Sequence, residues 1–173
     1  LLKGENIAFY LAMSLDGISV LNDLAGGVTV TLEDDFSAAD PAMTKGATLT
    51  LQGDQAEIFV GRRMDIGEGT NEARMVRQEE YLAQLSAQLE SRVQQDQQFT
   101  AQVYDALQPY LVTDLAKGQL VNEVWAAKDD TVEPAIALEG EHKVAEDGFT
   151  EFYPTEASIQ KAVLTLFWEP VEE

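Results

Sequence analysis

Four of the five arginines in this 173-residue chain, Arg62, Arg63, Arg74 and Arg77, fall within one short stretch, among thirty-one Asp and Glu residues. The planar guanidinium fork bonds phosphate oxygens in pairs, so arginines clustered on an acidic protein point to a phosphate-bearing anion. On a helix beginning near Glu72, Arg74, Arg77, Gln78 and Tyr81 stand at i, i+3, i+4 and i+7 and share one face close to the N-terminus. Free backbone N–H groups and the positive end of the helix dipole add to the attraction there. Arg62 and Arg63 arrive from the other side of the glycine loop Gly67–Asn71, and the set suits a diphosphate. The alternative is a solvated face in which the arginines pair with Asp65, Glu68, Glu72, Glu79 and Glu80, an arrangement worth little energetically. Spacing alone leaves both readings open.

The elements that must position these side chains are legible in outline. The apolar run Ile7–Met13 has no strict alternation and reads as a central strand covered on both faces. Leu15–Leu24 carries Leu15, Ile18, Leu21 and Leu24 at helical spacing, and Gly26-Gly27 stops it before the β-prone Val28–Leu32. Ala47–Leu51 alternates as a short edge strand or hairpin arm, and Gly53–Val60 fits a short helix with Ala56, Phe59 and Val60 inward. Thr70 or Asn71 caps a long helix over about Glu72–Gln97, with Met75, Leu82, Leu85, Leu89 and Val93 as its buried side. Helices are expected over Phe99–Leu107 and Asp114–Ala127, broken by Pro109 and the β-prone Leu111–Thr113. Strands over Pro134–Leu138 and Phe149–Tyr153, with turns at Glu139-Gly140 and Asp147-Gly148, precede a closing helix Ala157–Trp168. Length favours one domain over 1–173, and no repeat or linker marks a boundary.

A net charge of −20 argues against nucleic acid and anionic membrane surfaces as general partners. No cysteine is present for a disulfide or thiolate metal site, and no apolar run is long enough to span a bilayer. The first residues lack the pattern of a signal peptide, and the chain enters a strand at once without an initiator Met, which reads as a piece of a larger protein. His142 is the only histidine and reads as a surface residue, so no Ser-His-Asp or histidine metal site can be assembled. Glu33-Asp34-Asp35 lacks the ligand spacing of a calcium loop and reads as solvated, Asp23 as turn-stabilising and Asp65 as a partner of Arg63. Phe9, Tyr10, Leu82, Leu85 and Leu89 suit either an apolar groove or plain core packing.

The ordered words Asn22-Asp-Leu-Ala-Gly-Gly-Val-Thr-Val30, Lys45-Gly46, Leu51-Gln-Gly-Asp-Gln-Ala56, Phe59-Val-Gly-Arg-Arg63 and Gly69-Thr-Asn-Glu-Ala-Arg-Met-Val-Arg-Gln78 resemble the LytR-CpsA-Psr family of cell-wall glycopolymer ligases. Glu151-Phe-Tyr-Pro154 and Leu166-Phe-Trp-Glu-Pro170 look like the C-terminal extension of some clostridial members. The resemblance implies an α/β fold with a central mixed β-sheet flanked by helices, here lacking the N-terminal part of the fold. Residues 4–98 would be the second half of the catalytic domain and 99–173 a helical and C-terminal extension packed on it.

It implies an extracytoplasmic phosphotransferase, anchored by an N-terminal membrane helix outside this chain, that moves a teichoic-acid or capsule-like polymer from a polyprenyl-pyrophosphate carrier to peptidoglycan with Mg²⁺. Arg63 matches the second arginine of the family's first pair, and Arg74, Arg77 and Gln78 match the later pattern, while Gly61 stands where the first arginine is expected and Arg62 follows it. The family's Thr-Asp and Pro-Arg-Asp segments, which supply metal-binding aspartates, have no counterpart here. The chain alone is therefore expected to bind no metal and to lack catalytic competence, and a sheet without its first strands to expose an edge. The rival expectation is a non-catalytic envelope module that binds polyprenyl phosphate or an anionic polymer.

Overall fold

The computed structural model describes residues 8–67, 69–130 and 136–168. Contacts gather them into two compact units, one over Phe9–Asp130 and one containing Ala8 and residues 136–168, where chain length alone suggests a single domain. The second unit closes on itself through local pairing. Its strands β5 (Gly140–Val144) and β6 (Thr150–Pro154) form a hairpin turned at Gly148, and helix α6 (Glu156–Phe167) follows, capped by Thr155. Ser158 Oγ accepts the Glu139 N–H at 2.7 Å and ties the helix to the hairpin. Residues 136–138, expected as strand, form none, and 134–135 lie outside the described residues.

In the first unit the order is β1 (Leu11–Met13), α1 (Asp16–Ala25), β2 (Thr29–Thr31), β3 (Thr48–Thr50), α2 (Asp54–Gly61), α3 (Asn71–Gln95), α4 (Phe99–Leu107), β4 (Leu111–Thr113) and α5 (Lys117–Ala126). The mixed α/β class is as expected, but the sheet is not. Among the described residues the strands form three separate antiparallel pairs, β1–β4, β2–β3 and β5–β6, rather than one central mixed sheet. β1 is the sharpest departure: it has one neighbour only, and Phe9, Tyr10 and Leu11 keep 42%, 50% and 47% of their surface exposed. An apolar run announces a wish for burial without naming what buries it.

The core of this unit lies where α1, α2 and α3 meet the β2–β3 pair. Val28, Val30, Leu32, Phe36, Met43, Leu51, Phe59, Ile66 and Tyr81 are buried in it. Val30 faces inward opposite Leu49, and on the outer face the paired threonines Thr29–Thr50 and Thr31–Thr48 bond to each other at 2.8 Å. Gly26, at φ 105°, ends α1 in the left-handed conformation, and a Cβ at Gly27 would strike Thr50 and the Leu51 carbonyl. Asn22 is wholly buried and binds three elements together. Its amide donates to the Leu51 carbonyl at 2.7 Å, and its Oδ1 accepts from Val28 N–H and from the Tyr81 hydroxyl. Asp23 accepts the Gly53 N–H at 2.8 Å and so holds the start of α2, the turn-stabilising role its position suggests.

Candidate phosphate-binding site

The last turn of α2 and the first turns of α3 meet, and the arginine cluster sits at that junction. A helix ends with carbonyls that lack intrahelical partners, and α2 has no basic residue of its own to satisfy them. α3 supplies the donors. Gln78 Nε2 donates to the Val60 carbonyl at 2.8 Å, Arg77 Nε to Phe59 at 3.2 Å, and Arg77 Nη2 to Arg62 at 2.5 Å. The third nitrogen, Nη1, lies 3.6 Å from Asp34, and the guanidinium carbon stands 5.3 Å from the centre of the Phe36 ring. Arg77 is only 9% exposed. Burial pulls its pKa below the usual arginine value, Asp34 opposes that shift and Arg74 adds to it; an arginine stays charged throughout.

The remaining arginines are placed differently. α2 finishes at Gly61, and Arg62, capping it in extended conformation, and Arg63 both stand exposed in the following turn. Neither guanidinium has an acceptor among the described residues. Thr70 caps α3 by accepting the Ala73 N–H at 3.1 Å, and Asn71 Oδ1 accepts from Arg74 Nη2 at 2.6 Å, which fixes the rotamer of Arg74. The Nε of Arg74 is buried and has no acceptor among the described residues. The structure thus brings the five residues singled out by spacing to one junction. Among the described residues the Arg62 and Arg63 guanidinium groups and the Arg74 Nε have no acceptor, whereas Arg77 and Gln78 donate to backbone carbonyls.

The solvated salt-bridge alternative draws on five carboxylates, two of which, Glu68 and the Glu72 side chain, lie outside the described residues. Among the described residues Asp65, Glu79 and Glu80 pair with none of the arginines, and the one carboxylate that does, Asp34, comes from a loop expected to be merely solvated. Asp65 instead takes a left-handed conformation at φ 62°. Asn71 signals its role weakly, three residues before Arg74 on the helix. Asp34 has no local signal at all, because its partner lies in a distant element.

Behind the junction lie two apolar cavities. One of about 230 Å³ is bounded by Val60, Gln78, Leu82, Leu85, Met13 and Leu21 among others. The other, about 290 Å³, shares Met13 and Leu21 with it and runs on to Leu89, Val93 and Phe99. Leu82, Leu85 and Leu89 line this tract as one reading of the sequence expects, and Phe9 and Tyr10 do not. Among the described residues no three His, Asp or Glu side chains gather as metal ligands, and no helix is long and apolar enough to cross a membrane.

Comparison with known proteins gives the fold a family. The structure is similar to gbs0355 of Streptococcus agalactiae, with a TM-score of 0.74 at 20% identity, covering 95% of this chain and 58% of that one. TagV of B. subtilis aligns with a TM-score of 0.63 at 16% identity over 98% of this chain and 67% of its own. TagT bound to LI-WTA aligns with a TM-score of 0.67 at 16% identity over 95% and 61%. At such identities the likeness is one of fold, and the chain spans about three-fifths to two-thirds of the length of these structures. None of the curated proteins matches it. The family model for LytR_cpsA_psr matches residues 2–166, almost the whole chain, and the protein belongs to the LytR_cpsA_psr family.

Proposed function

We propose that Arg62, Arg63 and Arg74 hold the diphosphate of a polyprenyl-linked glycopolymer, and that the complete protein transfers this polymer to peptidoglycan on the extracytoplasmic side of a bacterial membrane. The observation that carries the reading is the set of arginine donors at the α2–α3 junction that have no acceptor among the described residues, the buried Nε of Arg74 included. A buried donor left unpaired costs about 1–3 kcal/mol, which a phosphate oxygen at that position would recover. The apolar tract that starts at Gln78 supports a lipid tail next to the headgroup. Family membership supports glycopolymer transfer, and a family fold held with LI-WTA supports the substrate class.

The reaction would be attack by a peptidoglycan hydroxyl on the glycan-bearing phosphorus. A phosphodiester forms, the phosphoanhydride bond breaks, the hydroxyl proton is released to solvent, and polyprenyl phosphate leaves with the negative charge. Arginines that already face the diphosphate stabilise that charge as it develops. In this reading the chain's part is to bind and orient the diphosphate. Gly61 in place of an arginine favours a second reading, a module that binds polyprenyl phosphate or an anionic polymer without transferring it.

Titrating geranylgeranyl pyrophosphate into the wild type and an Arg63→Ala/Arg74→Ala variant tests the site. Two charged hydrogen bonds at about 1.5–3 kcal/mol each predict an affinity loss of at least about 100-fold. Equal affinity in the two proteins overturns the assignment. Transfer of glycan by the complete protein separates the ligase from the binding module.

A further inference from the structure

We infer that Arg77 and Asp34 form a latch that positions the Arg62–Gly67 turn, so that Arg77 acts on the diphosphate site through the backbone and does not itself contact the anion. This rests on the diphosphate reading above and assigns a separate task within the same site. All three guanidinium nitrogens of Arg77 point inward, to the carbonyls of Phe59 and Arg62 and to Asp34, and the Phe36 ring stands over its carbon. With only 9% of the residue exposed, Arg77 offers an anion arriving from solvent little of its donor edge.

The other side of Asp34 faces the far end of the same turn. Gly67 sits at φ 52°, and a Cβ there would run into the Asp34 carboxylate. Between the two ends, Ile66 is buried, its N–H donates to the Arg63 carbonyl at 3.4 Å, and its carbonyl accepts the Gly69 N–H at 2.8 Å. The latch therefore holds the turn at the Arg62 carbonyl and at Gly67, with Arg62 and Arg63 displayed from the segment that begins there. Their long side chains gain affinity only if the backbone that carries them is already in place.

Charge and position make opposite forecasts for Asp34. As a bare negative charge beside an anion site, its neutralisation would tighten binding. As half of a latch, its neutralisation frees the turn and weakens binding. The experiment compares wild type, Asp34→Asn and Arg77→Lys in calorimetric titrations with inorganic pyrophosphate. It is paired with amide hydrogen exchange of the ligand-free proteins at Arg62, Ile66 and Gly69. Arg77→Lys keeps the charge but cannot span two carbonyls and a carboxylate.

The latch predicts pyrophosphate affinity at least about fivefold weaker in both variants and exchange at those three amides at least about tenfold faster, with the Val30 and Leu49 amides unchanged. Tighter or equal affinity in Asp34→Asn overturns the latch, as does unchanged exchange in both variants. If the wild type fails to bind pyrophosphate, the diphosphate reading falls and the exchange data alone decide the latch. If Asp34→Asn does not fold, Arg77→Lys decides it by the same two measurements.

Discussion

The inner face of α3 and the turn after α2 carry arginines in opposite conditions. Arg77 is closed in by two carbonyls, a carboxylate and an aromatic ring, while Arg62 and Arg63, a short distance away in sequence, have no acceptor among the described residues. The difference teaches that a cluster of one residue type is not one device. Under the proposed diphosphate reading, burial and partner supply decide which cations face the anion and which hold the turn. Arg74 stands between the two conditions, with one end fixed on Asn71 and a buried Nε that has no acceptor among the described residues.

Substitution separates the two regions most strongly at Arg77. Arg77→Ala strips donors from the Phe59 and Arg62 carbonyls and leaves Asp34 without its cation, so urea unfolding is expected to show a loss of about 3–4 kcal/mol. Arg62→Ala, on an exposed side chain, is expected to change stability by less than about 0.5 kcal/mol. Equal effects would erase the distinction. The same helix offers an apolar version of the contrast: Leu85→Ala, in the core, should cost about 2–3 kcal/mol, and Leu82→Ala, 55% exposed, less than about 1 kcal/mol.

Tyr81 gives a smaller and pH-dependent effect. Tyr81→Phe removes the hydroxyl that donates to Asn22 and is expected to cost about 1 kcal/mol near neutral pH, since Asn22 keeps its bond from Val28. Burial first, and Asp23 second, push the Tyr81 pKa up to about 12 from 10. The unfolded tyrosine ionises first, so wild-type stability should fall as pH rises from about 10 to 12, and Tyr81→Phe should lack that component of the loss. Parallel alkaline profiles for the two proteins would contradict the assignment.

Sequence and structure agree where the physics is local. The cap of α3 falls on Thr70, one of its two candidates with Asn71, and the glycine stop after α1, the inward Ala56, Phe59 and Val60 of α2, and the limits of α4 follow from spacing and glycine chemistry within a few residues. The inward side of α3 was only partly legible. Hydropathy selects Met75, Leu82, Leu85, Leu89 and Val93, but Met75 and Leu82 are about half exposed, and Arg77 and Tyr81 are buried beside Leu85 and Val93. Those two polar residues go inside because acceptors far away in the chain, at Phe59, Arg62, Asp34 and Asn22, satisfy them. No window of sequence contains that fact. For the same reason the spacing that gathers Arg74, Arg77, Gln78 and Tyr81 on one face is sound, while their shared use as an anion face is not visible in spacing.

In the proposed site Arg62, Arg63 and the half-buried Arg74, and not the buried Arg77, contact the diphosphate. Calorimetric titration of an Arg62→Ala/Arg63→Ala/Arg74→Ala variant with inorganic pyrophosphate tests it most directly, alongside its urea unfolding curve. Three lost charged contacts predict that affinity falls by at least about 1,000-fold while unfolding free energy shifts by less than about 1.5 kcal/mol. Wild-type affinity for pyrophosphate in that variant would contradict the account.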